Sequence, residues 1–159
     1  MDWMEVDMDS VINSIFCYGF HDTNINYIII NNDEITIYFD GGLYCLDNNK
    51  NEDKLIPKLK MIIKTELFYE RTDAGNNMNV WDSRHGDLDL DYFLKKVKNK
   101  SFGIDNLYYS SFNNSILIDG NNSILIDGFF DDESNMENGI IHKMLLLIEN
   151  CKSVKYSKQ

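Results

Sequence analysis

Apolar residues alternate with polar ones on both sides of Asn32 and Asp33, and this pattern predicts a β-hairpin within Gly19–Leu46. Asn and Asp tolerate the positive φ that a tight hairpin turn requires. The face expected to be apolar pairs Ile30 with Ile35, Ile28 with Ile37 and Asn26 with Phe39. The opposite face is mixed and pairs Ile29 with Thr36, Tyr27 with Tyr38 and Ile25 with Asp40.

Two segments carry apolar residues at helical spacing. An N-terminal helix is predicted over Trp3–Cys17 from Met4, Met8, Val11, Ile12, Ile15 and Phe16. A second helix is expected to begin at a cap formed by Asp87 or Asp89, because its first turn is acidic and its last turn basic, as the helix dipole favours. Its buried stripe would consist of Leu90, Phe93, Leu94 and Val97.

Other segments have the period of a β-strand. In Lys58–Tyr69, two sets of side chains alternate with the period of two that is typical of a strand, and Pro57 suits the start of a strand. The segment also has an apolar stripe at helical spacing, but we favour the strand. We expect a short strand at Val80–Trp81 and another over Phe102–Tyr109, whereas Ile140–Ile148 fits either a helix or a buried strand. A polar loop is expected over Asp47–Lys54, and a frayed tail over Lys155–Gln159.

One tandem repeat is present, since Asn113–Gly120 is followed directly by an identical copy, Asn121–Gly128. Its period is eight, an even number, so a copy keeps each residue type on the same face of a sheet. The repeat predicts a second hairpin in which Ile116 lies opposite Ile126 and Ile118 opposite Ile124. It is too short for a solenoid.

These elements together predict an α+β fold in one domain, 1–159. The sheet would be mainly antiparallel, built from hairpins and a meander, with the N-terminal helix and one or two further helices. Composition agrees, because 43% of the residues are hydrophobic and there is only one Pro. A chain of this length can bury a core without disulfides or metals.

The formal net charge is −11 at pH 7. Such a charge repels nucleic acid phosphates and anionic membranes and favours a basic partner. The three cysteines, Cys17, Cys45 and Cys151, form an odd set without metal-ligand spacing, which suits free thiols in a reducing compartment. Since neither a signal peptide nor a transmembrane segment is expected, we predict a cytoplasmic location.

Residue types used in catalysis occur at two places, His21–Asp22 and the Asp82–Asp87 loop that contains His85. Adjacent strand residues point to opposite faces, so we expect His21 and Asp22 to fix the entry to the hairpin by hydrogen bonds to the backbone. Closeness in sequence does not make a site, so a solvated turn explains the Asp82–Asp87 residues better. Asp87, Asp89 and Asp91 match the start of a calcium loop, but Tyr92 and Lys98 occupy the Gly and Glu positions. No metal or cofactor is therefore expected.

The run Gly19-Phe20-His21-Asp22 after an N-terminal helix, followed by an isoleucine-rich hairpin, resembles bacterial polymorphic-toxin immunity proteins with a Phe-His-Asp signature. The resemblance is clearest over about residues 10–46. It implies a cytoplasmic antitoxin without enzymatic activity, which neutralises a cognate toxin domain, often a nuclease, as in contact-dependent growth inhibition. The acidic charge agrees with that role, because nuclease sites are usually basic.

On this interpretation exposed acidic loops would contact the toxin. The candidates are Asp131, Asp132 and Glu133 first, then Glu52 and Asp53, and then Asp87, Asp89 and Asp91. One alternative is a small hydrolase or nuclease that uses His21, Asp22 and His85. Another is a viral host-interaction module of similar composition.

Overall fold

The computed structural model describes residues 3–6, 23–47, 52–67, 73–111, 122–130 and 143–158. Within them the chain forms an α+β fold that is mainly antiparallel sheet, as predicted. The elements are β1 (Trp3–Val6), β2 (Asn24–Asn31), β3 (Glu34–Asp47), β4 (Glu52–Thr65), a 3₁₀ helix (Ala74–Asn77), β5 (Met78–Asp82), β6 (Gly86–Leu88), α1 (Leu90–Asn99), β7 (Phe102–Ser111), β8 (Asn122–Phe130) and β9 (Met144–Lys158).

The strand pairings form a closed circuit in the order β4-β3-β2-β7-β8-β9, because β9 also pairs with β4. Strand β9 is long enough to have different neighbours along its length. Its first part lies between β8 and β5, and its last part lies between β4 and β1. Cys151 lies where the neighbours of β9 change, opposite Asn122 of β8 and Thr65 of β4.

The first hairpin is confirmed in its turn and in the pairs nearest the turn. Asn32 has a φ of 53°, and Ile30 lies opposite Ile35. Further out the predicted register is wrong, because a β-bulge at Asn26 places Ile25 opposite Phe39 and Asn24 opposite Asp40. The bulge brings an isoleucine, which is fully buried, to a core position that Asn26 would otherwise occupy.

The β3–β4 hairpin confirms a strand over residues 58–65 and extends it back to Glu52, but the strand ends at Thr65 and not at Tyr69 as predicted; residues 68 and 69 lie outside the described residues. The loop predicted over Asp47–Lys54 is wrong at both ends, since Asp47 belongs to β3 and Glu52 lies opposite it in β4. Pro57 lies inside β4 and not at its start. Proline is tolerated there because the partner strand shifts register between Asp40 and Leu43, so regular pairing is interrupted at that point.

Both chain ends lie in the sheet, contrary to prediction. Trp3–Val6, expected to begin a helix, forms β1 and pairs with Val154–Ser157; residues 7–17 lie outside the described residues. The tail predicted to fray belongs to β9, which continues to Lys158 between β4 and β1. Interstrand hydrogen bonds therefore outweigh a local helical pattern at β1. The ambiguous segment resolves as strand from Met144 onward.

The hairpin predicted between the two repeat copies is wrong. Ile126 of β8 lies opposite Leu107 of β7 on one side and Leu146 of β9 on the other. Both edges of β8 are thus occupied, and neither can pair with Ile116. The first copy, 113–120, lies outside the described residues.

Helix α1 packs against the sheet beside β2. Among the described residues, strands β2 and β7 pair at Asn24–Gly103 and Ile25–Phe102. Asp89 is the N-cap, as expected, with Oδ2 accepting a hydrogen bond from the Tyr92 amide at 3.1 Å. The predicted stripe faces inward: Phe93 and Val97 are buried, while Leu90 and Leu94 are partly buried against the core.

An aromatic cluster joins α1 to the sheet. The Phe93 ring lies 5.4 Å from that of Phe102 and 5.9 Å from that of Phe130, measured between centroids, in edge-to-face arrangements. The Phe102 and Phe130 rings are 5.2 Å apart. Such contacts add stabilisation beyond the burial of apolar area.

Candidate interaction surface

The outer face of β5, β9, β8 and β7 carries a strip of apolar side chains. It arises because Met144–Ile148 is apolar without interruption. Met144, Leu146 and Ile148 enter the core, so Leu145 and Leu147 must lie on the other face. Both of these leucines are only partly buried.

Cross-strand pairing extends this apolar surface in both directions. Trp81 of β5 lies opposite Leu145, and Leu125 of β8 lies opposite Leu147. Tyr108 of β7 lies opposite Leu125. We call these five residues the outer strip: Trp81, Tyr108, Leu125, Leu145 and Leu147. Trp81 is 42% exposed and Tyr108 48% exposed, which is high for large rings.

Acidic side chains border the outer strip. Asp87 of β6 is exposed opposite Trp81, and Asp127 of β8 lies opposite Leu145. Glu149 accepts a hydrogen bond from Asn79 at 3.3 Å. Because Asn79 lies opposite Leu147, Glu149 also belongs to this border.

Lys143 offsets part of this negative charge. Its Nζ lies 3.4 Å from Asp127 Oδ2 and 3.6 Å from Asp105 Oδ2. The Asp127 charge, together with that of Asp105, raises the pKa of Lys143, while partial burial opposes the shift. The second carboxylate oxygen of Asp127, Oδ1, is buried without a hydrogen-bond partner, so Lys143 is important for holding this carboxylate.

A cleft of about 430 Å³ lies between the β5–β6 turn and α1. On the turn side, Asp82 Oδ1 accepts hydrogen bonds from the Arg84 amide at 2.6 Å and the His85 amide at 3.3 Å. The turn ends at Gly86, whose φ of 76° favours glycine. The Ser83 amide also donates to the Lys143 carbonyl at 2.9 Å, which ties the turn to β9.

The helix side of the cleft is formed by Asp89, Tyr92 and Lys96. Tyr92 is 53% exposed. The Lys96 ammonium lies 4.7 Å from the centre of the Phe130 ring, a cation–π distance that joins this ammonium to the aromatic cluster. Leu88 and Met144 supply apolar lining.

The structure brings together only some of the predicted contact residues. Asp87, Asp89 and Asp91 are all exposed, at β6, at the α1 cap and in the first turn of α1. Glu52 and Asp53 lie in β4 opposite Asp47 and Leu46, in a strand and not in a loop. Asp131, Asp132 and Glu133 lie outside the described residues.

The residues of the hydrolase alternative are not seen together. His85 is exposed in the β5–β6 turn, whereas His21 and Asp22 lie outside the described residues. The nearest carboxylate in sequence, Asp82, uses Oδ1 to bind the backbone of the turn. This arrangement gives Asp82 a structural role in the turn.

Sequence patterns did not reveal the outer strip or the contribution of Tyr92 and Lys96 to the cleft. A usable signal was the unbroken apolar run Met144–Ile148, because in an antiparallel sheet such a run leaves leucines on the outer face. The exposure of Trp81 had no comparable signal, since it depends on which strands neighbour β5.

Comparison of the chain with protein-family models, with curated protein sequences and with solved structures gives no match. In the part of the chain that the structure describes, no helix is long and apolar enough to cross a membrane. The same part contains no group of three His, Cys, Asp or Glu residues that could hold a metal ion.

Proposed function

We propose that this protein is a cytoplasmic immunity protein that binds a basic toxin domain, such as a nuclease, and blocks its active site or substrate surface. It acts by stoichiometric binding and without turnover. The observation that carries the proposal is the outer strip, an exposed apolar surface with aromatic residues and an acidic border, on a sheet that the strand circuit holds in place.

The two rings of the outer strip suit protein recognition. Trp and Tyr are enriched among residues whose truncation weakens protein complexes most, since they bury a large area and lose few rotamers. Trp81 and Tyr108 stand at opposite ends of the strip with three leucines between them. Because all five belong to paired strands, little backbone entropy is lost when a partner binds.

The charge around the strip supports a basic partner. Among the described residues, Asp87, Asp127 and Glu149 place carboxylates beside the strip, and Lys143, which contacts both Asp127 and Asp105, offsets part of this charge. The whole chain has a net charge of −11. A basic protein surface would be attracted over a Debye length of about 8 Å at physiological ionic strength, which accelerates association.

The acidic residues proposed from sequence have a secondary place in this account. Asp87 borders the strip directly, and Asp91 extends the acidic surface into α1. Asp89 already caps α1. Asp131, Asp132 and Glu133, together with Glu52 and Asp53, remain proposed contacts that steer the toxin towards the strip.

The first test is co-expression of the tagged chain with the C-terminal domain encoded immediately upstream. We expect a one-to-one complex and rescue of growth when that domain alone is toxic. A triple variant, D131N/D132N/E133Q, should associate more slowly and with a weaker dependence on salt. Absence of both a complex and rescue would refute the proposal, and turnover lost in His85→Ala would favour the hydrolase alternative.

A further inference from the structure

We propose that the cleft between the β5–β6 turn and α1 binds a mononucleotide whose base carries an amino group. The proposal does not depend on the protein partner, because the cleft and the outer strip are lined by different residues. It rests on the coexistence of cationic, aromatic and carboxylate side chains around one cavity.

The cationic residues are suited to a phosphate group. Arg84 lines the cleft from the turn and Lys96 from α1, so the two approach it from different elements. A guanidinium offers paired donors that match phosphate oxygens, and an ammonium adds a compact charge. His85, beside Arg84, supplies a further nitrogen donor.

The apolar residues are suited to a planar ring. Tyr92 is 53% exposed, although its neighbour Phe93 is fully buried, so the phenol ring is accessible to a ligand. Leu88 and Met144 line the same cavity. Aromatic side chains serve as stacking platforms for bases in single-stranded nucleic acid complexes.

The carboxylates favour a base that has amino donors. Asp82 Oδ1 and Asp89 Oδ2 accept backbone amides, which sets the position of each carboxylate. Asp89 therefore keeps its other oxygen to accept an N–H donor, as carboxylates do from cytosine N4 in nucleic acid recognition. Guanine and cytosine provide such donors, whereas uracil has no amino group.

Charge and volume restrict the ligand to a single nucleotide. The charges of Arg84 and Lys96 balance those of Asp82 and Asp89, while the whole chain carries a formal net charge of −11. The cleft is thus a place where one phosphate meets little local repulsion, but a polynucleotide would also meet the acidic surface around it. A cavity of about 430 Å³ is within the range for small-molecule sites.

Isothermal titration of the full chain with GMP tests the proposal, with guanosine, inorganic phosphate and UMP as comparison ligands. We expect GMP to bind more tightly than each of the other three. Lys96→Met should weaken GMP binding about tenfold, the loss expected for one charged hydrogen bond. Lys95→Met is the matched control, because Lys95 is exposed on the same helix and does not line the cleft.

Tyr92→Leu provides a second test that does not involve charge, and we expect it to weaken GMP and guanosine alike. Thermal unfolding of each variant checks that it is folded. The proposal is overturned if GMP does not bind, if guanosine, inorganic phosphate or UMP binds as tightly as GMP, or if Lys95→Met and Lys96→Met have equal effects.

Discussion

Gly128→Ala adds one methyl group, the Cβ atom, and tests how closely β7 and β8 pack in the strand circuit. Gly128 is the last residue of the second repeat copy and lies in β8 opposite Ile104 of β7 and Met144 of β9. A Cβ built at this position would overlap the carbonyl oxygen of Gly103 and would lie 2.8 Å from two ring atoms of Phe102. Neither neighbour can move easily, since Gly103 is backbone in a paired strand and Phe102 is fully buried among aromatic rings.

The expected loss of stability follows from this overlap. Adding a methyl group to a well-packed core costs about 1–3 kcal/mol, and here strand pairing must also shift. Replacing glycine also lowers the conformational entropy of the unfolded chain, and this effect raises the free energy of unfolding by about 0.4–1 kcal/mol. We expect a net loss near the upper end of the difference between these two effects, about 2 kcal/mol, and therefore a fall in Tm of roughly 4–8 °C for a chain of this size.

Urea unfolding followed by circular dichroism measures this loss, and two other glycines serve as controls. Gly103→Ala brings its Cβ no closer than 3.5 Å to any atom, so its free energy of unfolding should change by less than about 1 kcal/mol. Gly86→Ala meets nothing within 4 Å but needs a φ of 76°, and should cost about 1 kcal/mol. If Gly128→Ala is as stable as Gly103→Ala, the described approach of β7 to β8 is wrong.

Further predictions concern three individual polar groups, Lys143, Cys151 and Asp89. Lys143→Met should lower the free energy of unfolding by about 1–3 kcal/mol, because it leaves the carboxylate of Asp127 unpaired. Lys152→Met removes only an exposed ion pair and should lower it by less than about 1 kcal/mol in the same urea assay. The raised pKa of Lys143 stabilises the fold below about pH 10.4, the ordinary value, and this contribution should be lost as pH rises through the higher folded value. Burial raises the pKa of the Cys151 thiol to about 12. In a C17S/C45S variant, Cys151 of the folded protein should therefore react with iodoacetamide at pH 8 far more slowly than Cys151 of the protein unfolded in urea. Equal rates would contradict its burial. Asp89→Ala should lower stability by about 1 kcal/mol through loss of the α1 cap, and an unchanged unfolding midpoint would contradict that role.

Features set by neighbouring residues were predictable from sequence. The Asn32–Asp33 turn and the α1 cap at Asp89 each depend on a few adjacent residues, and both are present. The bulge at Asn26 was not predictable, because it depends on Phe39 across the hairpin and on Ser101, whose hydroxyl donates to Asn26 at 2.8 Å. A short sequence window contains neither of these partners.

The largest differences concern pairings between segments far apart in the chain. Strand β9 takes β1 and β4 as neighbours, so Trp3 lies opposite Ser157, and a local helical pattern carries no information about that pairing. The repeat copies were expected to pair because they are adjacent, yet Ile126 has its neighbours in β7 and β9. For the same reason the sequence indicated Asp87 as a surface residue but not that it lies beside Trp81.

The most direct test of the proposed function is the affinity of the upstream toxin domain for a Trp81→Ala/Tyr108→Ala variant, measured by titration calorimetry against the unmodified chain. If the outer strip is the centre of the interface, the double variant should bind at least about 30-fold more weakly, as expected when residues of this kind are truncated. Ile29→Ala, at a residue that is 38% exposed on β2 and outside the strip, should bind as the unmodified chain does. Equal affinity of the double variant and the unmodified chain would contradict the account.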